Sequence, residues 1–275
     1  MRAIPGDNLA YPIQITLENG SQGSGFYLHE ENQGYLITAA HVLLNQDESP
    51  KSNKVQLLSY TPDFESGSFW LFEIDLNKAL EDGGVLYDLG RDIIVINLSE
   101  RTFSVDDTGK EIGLNRGKAW VDLKQAGQVS TVSVPIRNIK LYDDVLIGND
   151  VVLFGFPASI GMQHSPQFDY KRPLLRSGVV AGKHAEREKI ILDCPAYYGN
   201  SGGPVIEIEH FPPKEIRYRI IGIVNEFIPY SETWKNLSSG LENIQMINSG
   251  YSVIASMDAI LNLIGVDLTK TNSSE

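Results

Sequence analysis

Cysteine is almost missing from this chain of 275 residues: Cys194 is the only one. No intrachain disulfide can form, which points to a reducing compartment and leaves the fold to be held by its core. Long apolar runs are missing too. The opening residues, Met1 to Asn8, contain no stretch of signal-peptide type, and nothing approaches the ~18–20 apolar residues of a membrane span. Together these absences predict a soluble, cytoplasmic protein with no membrane partner, a processed secreted form being the alternative. Positive charge is in short supply, with 23 Lys and Arg against 35 Asp and Glu, a net charge of −12. Nucleic acid is therefore excluded as a partner, because binding a phosphate backbone needs clustered cations. His and Cys nowhere take up zinc spacing and no glycine loop has P-loop form, so neither a metal nor a cofactor is expected. Asn97-Leu98-Ser99 and Asn236-Leu237-Ser238 match glycosylation acceptors, a coincidence in a cytoplasmic chain.

What the chain does have is an ordinary globular composition, 42% hydrophobic and 21% charged, at a length that buries a core without staples. Short alternating runs separated by turn residues dominate it, the signal for antiparallel β-structure. Strands are predicted at 13–17, 25–28, 35–39, 55–60, 69–74 and 93–96, then at 151–155, 177–181, 189–192, 204–208, 218–224 and 251–254. The two sets of six predict one domain with a first barrel over about 8–100 and a second over 148–255, joined by a connection at 101–147. A helix over 256–266 is capped by Ser256, helped by Asp258 at its positive end and stopped by Gly265. Residues 267–275 form a polar tail.

Gly199-Asn200-Ser201-Gly202-Gly203-Pro204 sets a serine among glycines that let the backbone fold tightly around it. A serine hydroxyl is a weak nucleophile unless a base takes its proton. His41, ending Thr38-Ala39-Ala40-His41, is the candidate base. Asp92, opening the apolar run Ile93-Ile94-Val95-Ile96, is the candidate orienter of its imidazole, ahead of Asp88 four residues earlier. Taken singly, each has an ordinary structural reading as a turn serine, a strand-end histidine or an edge aspartate. The other histidines, His29, His164, His184 and His210, read as surface or loop residues.

In the order His, Asp, Ser these segments resemble the trypsin/chymotrypsin-like serine peptidases, nearest to the HtrA-like intracellular bacterial branch. Gly23-Ser24-Gly25-Phe26, the segment from Gly148 to Pro157, and Gly222-Ile223-Val224-Asn225-Glu226 extend the resemblance to most of residues 10–265. No PDZ-like module follows, a departure from full-length HtrA proteins. The resemblance implies an all-β fold, two antiparallel six-stranded β-barrels with a C-terminal helix packed on the second. It also implies a serine endopeptidase working through an acyl-enzyme on Ser201, with His41 as general base and acid and Asp92 as orienter. The backbone N–H groups of Gly199 and Ser201 would form the oxyanion hole. A polypeptide substrate would add as a strand along Val224-Asn225-Glu226, and a protein regulator is compatible with this scheme.

Two departures from the family pattern carry information. Position 200 is Asn, where zymogen-activated trypsins use Asp to bind a newly freed terminal ammonium; activation of that kind is not expected. Pro195 stands six residues before Ser201, where trypsin carries the aspartate at the base of its pocket. With Ala196, Val224 and Gly250 as further pocket positions, none of them charged, an apolar or small P1 side chain is expected. Glu226 and Phe227 border the mouth. Two alternatives from other classes are a catalytically silent trypsin-like binding scaffold and a hydrolase of small esters or amides.

Overall fold

The structure is a computed structural model describing residues 4–62, 67–105, 111–128, 130–157, 167, 169, 172–211, 213, 215–236 and 238–266. Its first half holds β1 (Pro12–Leu17), β2 (Gln22–Glu30), β3 (Gln33–Thr38), β4 (Lys54–Tyr60), β5 (Phe69–Asp75), β6 (Val85–Asp88), β7 (Ile93–Val105), β8 (Glu111–Gly117), β9 (Val121–Gln125) and β10 (Val134–Pro135). They form one curled sheet in the order β6-β7-β3-β2-β1-β4-β5-β9, with β8 added to β7 and β10 to β2. The second half, β11 (Asp150–Gly155), β12 (Leu174–His184), β13 (Lys189–Asp193), β14 (Pro204–Phe211), β15 (Glu215–Lys235) and β16 (Glu242–Ser256), closes as a six-stranded barrel. Short helices α1 (Gly6–Leu9), α2 (Ala40–Leu43) and α3 (Leu76–Glu81) decorate the first half, and α4 (Met257–Leu263) follows the last strand.

Alternation along the strands explains why the apolar runs are continuous. A strand points successive side chains to opposite faces, so a strand buried on both faces needs apolar residues throughout. In β7, Ile94 and Ile96 face the core of the first sheet, while Ile93 and Val95 face outward into a middle layer. In β11, Val152 and Phe154 enter that same middle layer and Val151 and Leu153 face the core of the second barrel. Phe26, Leu28 and Ile37 from one side, and Ile206, Ile220, Ile223 and the apolar face of α4 from the other, complete the layer. The two halves are therefore joined by a shared hydrophobic interior.

All twelve predicted strands are present in an all-β fold of the expected two-part kind, the second part a closed six-stranded barrel and the first a curled sheet. The first sheet is larger than six strands, because the stretch read as a connection contributes to it. β7 runs on to Val105, β8 hairpins back against it, and β9 pairs with the edge of β5. Trp120 anchors this addition by entering the first core and donating its indole N–H to the Asn97 carbonyl at 2.8 Å. β9 itself is mostly exposed, which is why its sequence carried no alternating apolar signal. Beyond the predicted bounds, β15 and β16 continue as a projecting hairpin arm, Pro229–Lys235 pairing with Glu242–Asn248.

The C-terminal helix differs in its details. Ser256 is its cap residue, yet its side chain makes no capping hydrogen bond. Asp258 instead accepts the Tyr142 backbone N–H at 2.6 Å, fastening the inter-barrel segment to α4. Gly265, in the left-handed region at φ +74°, ends the helix as expected. The predicted tail, 267–275, lies outside the described residues. Among the described residues no helix is long and apolar enough to cross a membrane.

Cys194 is fully buried in the second barrel's core, and burial pushes its thiol up to about 11. The thiolate is the reactive form, so native protein at pH 8 is expected to resist iodoacetamide while denatured protein takes up one equivalent. Mass spectrometry before and after denaturant measures this.

Candidate active site

β3 delivers the chain into α2, a single turn whose Ala40, Val42 and Leu43 are buried and whose His41 is left facing out. Burying three of four side chains fixes the turn and therefore the direction of the imidazole. Asp92 reaches it from the start of β7. Its backbone is left-handed at φ +58°, a conformation that Asp tolerates better than most residues. The carboxylate accepts the His41 backbone N–H at 2.8 Å on one oxygen and the imidazole Nδ1–H at 2.7 Å on the other. A carboxylate only accepts, so Nδ1 carries the proton and the lone pair lies on Nε2. Burial works to raise the Asp92 pKa, but the His41 hydrogen bonds and charge, with help from Asn225, outweigh it and hold the carboxyl below its usual range. Asp88 does other work: it accepts the Arg91 N–H at 3.0 Å and shapes the turn before Asp92.

Ser201 sits in a loop braced from within. The Asn200 N–H bonds the Tyr197 carbonyl at 2.9 Å, and the Asn200 side chain returns an acceptor to the Tyr197 N–H at 2.9 Å. That turn needs a left-handed third residue, which Gly199 supplies at φ +91°. Gly202, at φ +80°, bonds the Val224 carbonyl at 2.7 Å, and any β-carbon there would come within 2.1 Å of the Thr38 hydroxyl oxygen. Asn200 is buried and committed to its own loop, consistent with the reading that it does not await a terminal ammonium.

Ser24, to which the sequence pattern assigned no role, holds this loop to the first sheet. Ser24, on β2 and fully buried, donates its hydroxyl to the Gly199 carbonyl at 2.6 Å and accepts the Phe156 N–H at 3.0 Å. Its backbone N–H bonds the Ser201 carbonyl at 2.8 Å. A small hydroxyl flanked by glycines in a strand was the available signal, since only a short side chain fits where two halves meet.

His41, Asp92 and Ser201 all line one cleft of about 820 Å³. Ala196, Val224, Asn225 and Glu226, predicted as substrate contacts, line it as well. Pro195 and Gly250 do not. Gly250, at φ +89°, lies where the β15–β16 register shifts, which carries it off the pocket wall. Phe227, expected at the mouth, lines the cleft together with Ile191 and Val253, which sequence spacing did not single out. Tyr198 meets Phe227 edge to face at 5.9 Å. His184, read as a loop residue, also borders the cleft; His164 lies outside the described residues. Among the described residues no group of three His, Cys, Asp or Glu could hold a metal ion.

Ser24→Ala would leave the Gly199 carbonyl and the Phe156 N–H buried without their partner, a loss of about 1–3 kcal/mol. Denaturant melts should show that loss, and reactivity at Ser201 should fall along with it.

A family model, the trypsin-like peptidase domain, matches residues 23–210. Among solved structures, Deg5 superposes with a TM-score of 0.50 at 14% identity, covering 93% of this chain and 88% of that one. The HtrA-type protease AlgW with a tripeptide gives 0.47 at 13% identity, covering 93% of this chain but only 59% of the AlgW chain. The serine endoprotease from Yersinia pestis gives 0.44 at 11%, covering 100% and 68%. No curated protein sequence matches. At 14% identity Deg5 speaks for the fold alone, whereas the family model spans more than half of the chain and runs from β2 into the second barrel across all three candidate residues. This chain belongs to the trypsin-like peptidase domain family.

Proposed function

We propose that this protein hydrolyses peptide bonds through an acyl-enzyme on Ser201, with His41 as general base and acid and Asp92 as orienter. The observation that carries the reading is the pair of hydrogen bonds from His41 to the Asp92 carboxylate, Nδ1–H at 2.7 Å and backbone N–H at 2.8 Å, in the same cleft as Ser201. The lone pair on Nε2 takes the Ser201 proton as Oγ forms its bond to the substrate carbonyl carbon. The resulting imidazolium is stabilised by Asp92. It returns the proton to the leaving amine as the C–N bond breaks, and water repeats the sequence to release the acid. The N–H groups of Gly199 and Ser201 are the proposed donors to the oxyanion. Among the described residues neither donates a hydrogen bond within the protein.

A polypeptide suits the cleft because Asn225, Glu226 and Phe227 present an extended strand along it, able to bind substrate backbone by strand addition. A fluorophosphonate probe should label Ser201 and fail on Ser201→Ala. Ser201→Ala and His41→Ala should each lower kcat by ~10⁴ or more, and the double variant should lose little beyond either single one. An unlabelled, stably folded parent chain would instead favour the silent scaffold.

The apolar wall of Ile191, Ala196, Val224 and Val253 offers nothing to neutralise a cation. A P1-randomised peptide library should show cleavage after aliphatic or small residues, at least ~10-fold above Arg or Lys on the scale of one misplaced charge. Preferred cleavage after Arg would overturn the pocket assignment.

A further inference from the structure

Behind the carboxylate lies a cation to which the proposed reaction assigns no role. Lys189, at the start of β13 and half-buried, donates its ammonium to the Asn225 Oδ1 at 3.0 Å and to the Arg91 carbonyl at 2.8 Å. Asn225 then donates Nδ2–H to the Asp92 carboxylate at 3.0 Å and to the Asp92 backbone carbonyl at 2.8 Å. An ammonium only donates and a carboxylate only accepts. The amide between them has one satisfactory orientation; turned over, it would set its NH₂ against the ammonium and its oxygen against the carboxylate. Arg91, adjacent in sequence to Asp92, is tied to Lys189 through its carbonyl and to Glu188 through its guanidinium at 3.1 Å.

We propose that Lys189 is a positioning residue for the site: it sets the Asn225 amide so that the NH₂ braces Asp92, and it places a positive charge behind the Asp92–His41 pair. The inference rests on the proposed reaction for its kinetic consequence and on the observed hydrogen bonds for the rest. The charges around the ammonium come from several elements. Burial opposes it most and holds its pKa below the usual lysine value, Asp92, Glu226 and Asp88 favour it, and Arg91 adds to the opposition. Lys51 approaches the far side through the His41 carbonyl, and His184, Glu186 and Arg187 border the cleft. Glu188 is already engaged with Arg91.

Losing the ammonium removes repulsion toward the imidazolium and frees the amide to turn away from Asp92. Both changes let the base keep its proton to higher pH. Lys189→Met is therefore expected to move the acid limb of kcat/KM for a short uncharged substrate upward by about 0.5–1 pH unit. Lys189→Arg should restore most of the limb, because the charge is kept. Thermal melts of both variants and of Lys189→Gln identify any that fail to fold.

A second readout needs no activity. The Asn225 side-chain NH₂ signals, assigned by NMR through their loss in Asn225→Ala, should exchange with solvent slowly in the parent and at least ~10-fold faster in Lys189→Met, as expected of a freed amide. An unmoved acid limb together with unchanged exchange in folded Lys189→Met would overturn the proposal. Failure of the parent to hydrolyse substrate or take up the fluorophosphonate would sink the proposed reaction instead, leaving the exchange measurement to decide the role of Lys189.

Discussion

Two of the three proposed catalytic side chains ride on the first sheet and the third rides on the second barrel, so the chemistry depends on how firmly those halves are held in register. The middle apolar layer does this work. Its members alternate with core residues along the same strands, Ile93 and Val95 with Ile94 and Ile96, Val152 and Phe154 with Val151 and Leu153. Sliding one half against the other would disturb close-packed side chains that also hold the strands carrying the site. Ser24 adds direction to that adhesion, binding the Ser201 loop by both its backbone and its hydroxyl.

Within this frame the site holds its backbone in places where an ordinary residue would be strained. Asp92, Gly199 and Gly202 are all left-handed. Each is fastened by neighbours: Asp92 by His41 and Asn225, Gly199 by Ser24, Gly202 by Val224. Strained conformations persist only where the surroundings over-determine them, and such places cluster at functional sites. The charges follow the same pattern. The Asp92 carboxylate is half-shielded from water, yet three kinds of donor keep it ionised.

Much of this was legible in the chain itself. The hexapeptide around Ser201 announces a tight turn, because glycine at 199 and 202 suits left-handed backbone. The apolar run after Asp92 announces a strand buried on both faces. What could not be read had a common cause: β9 and the projecting arm are largely exposed, so no burial pattern marked them. Nor does any local pattern show that Trp120, within the stretch read as a connection, plugs the first core.

By itself the sequence determined the strand set and the identity of the acid, base and nucleophile candidates, since these depend on local pattern and residue chemistry. Only the tertiary structure decided which residues wall the cleft, that Ser24 clamps the Ser201 loop, and that Lys189 and Asn225 stand behind Asp92. Those contacts join residues such as Ser24 and Gly199, 175 positions apart. No local propensity encodes them, because they exist only once two separately patterned sheets have packed against one another.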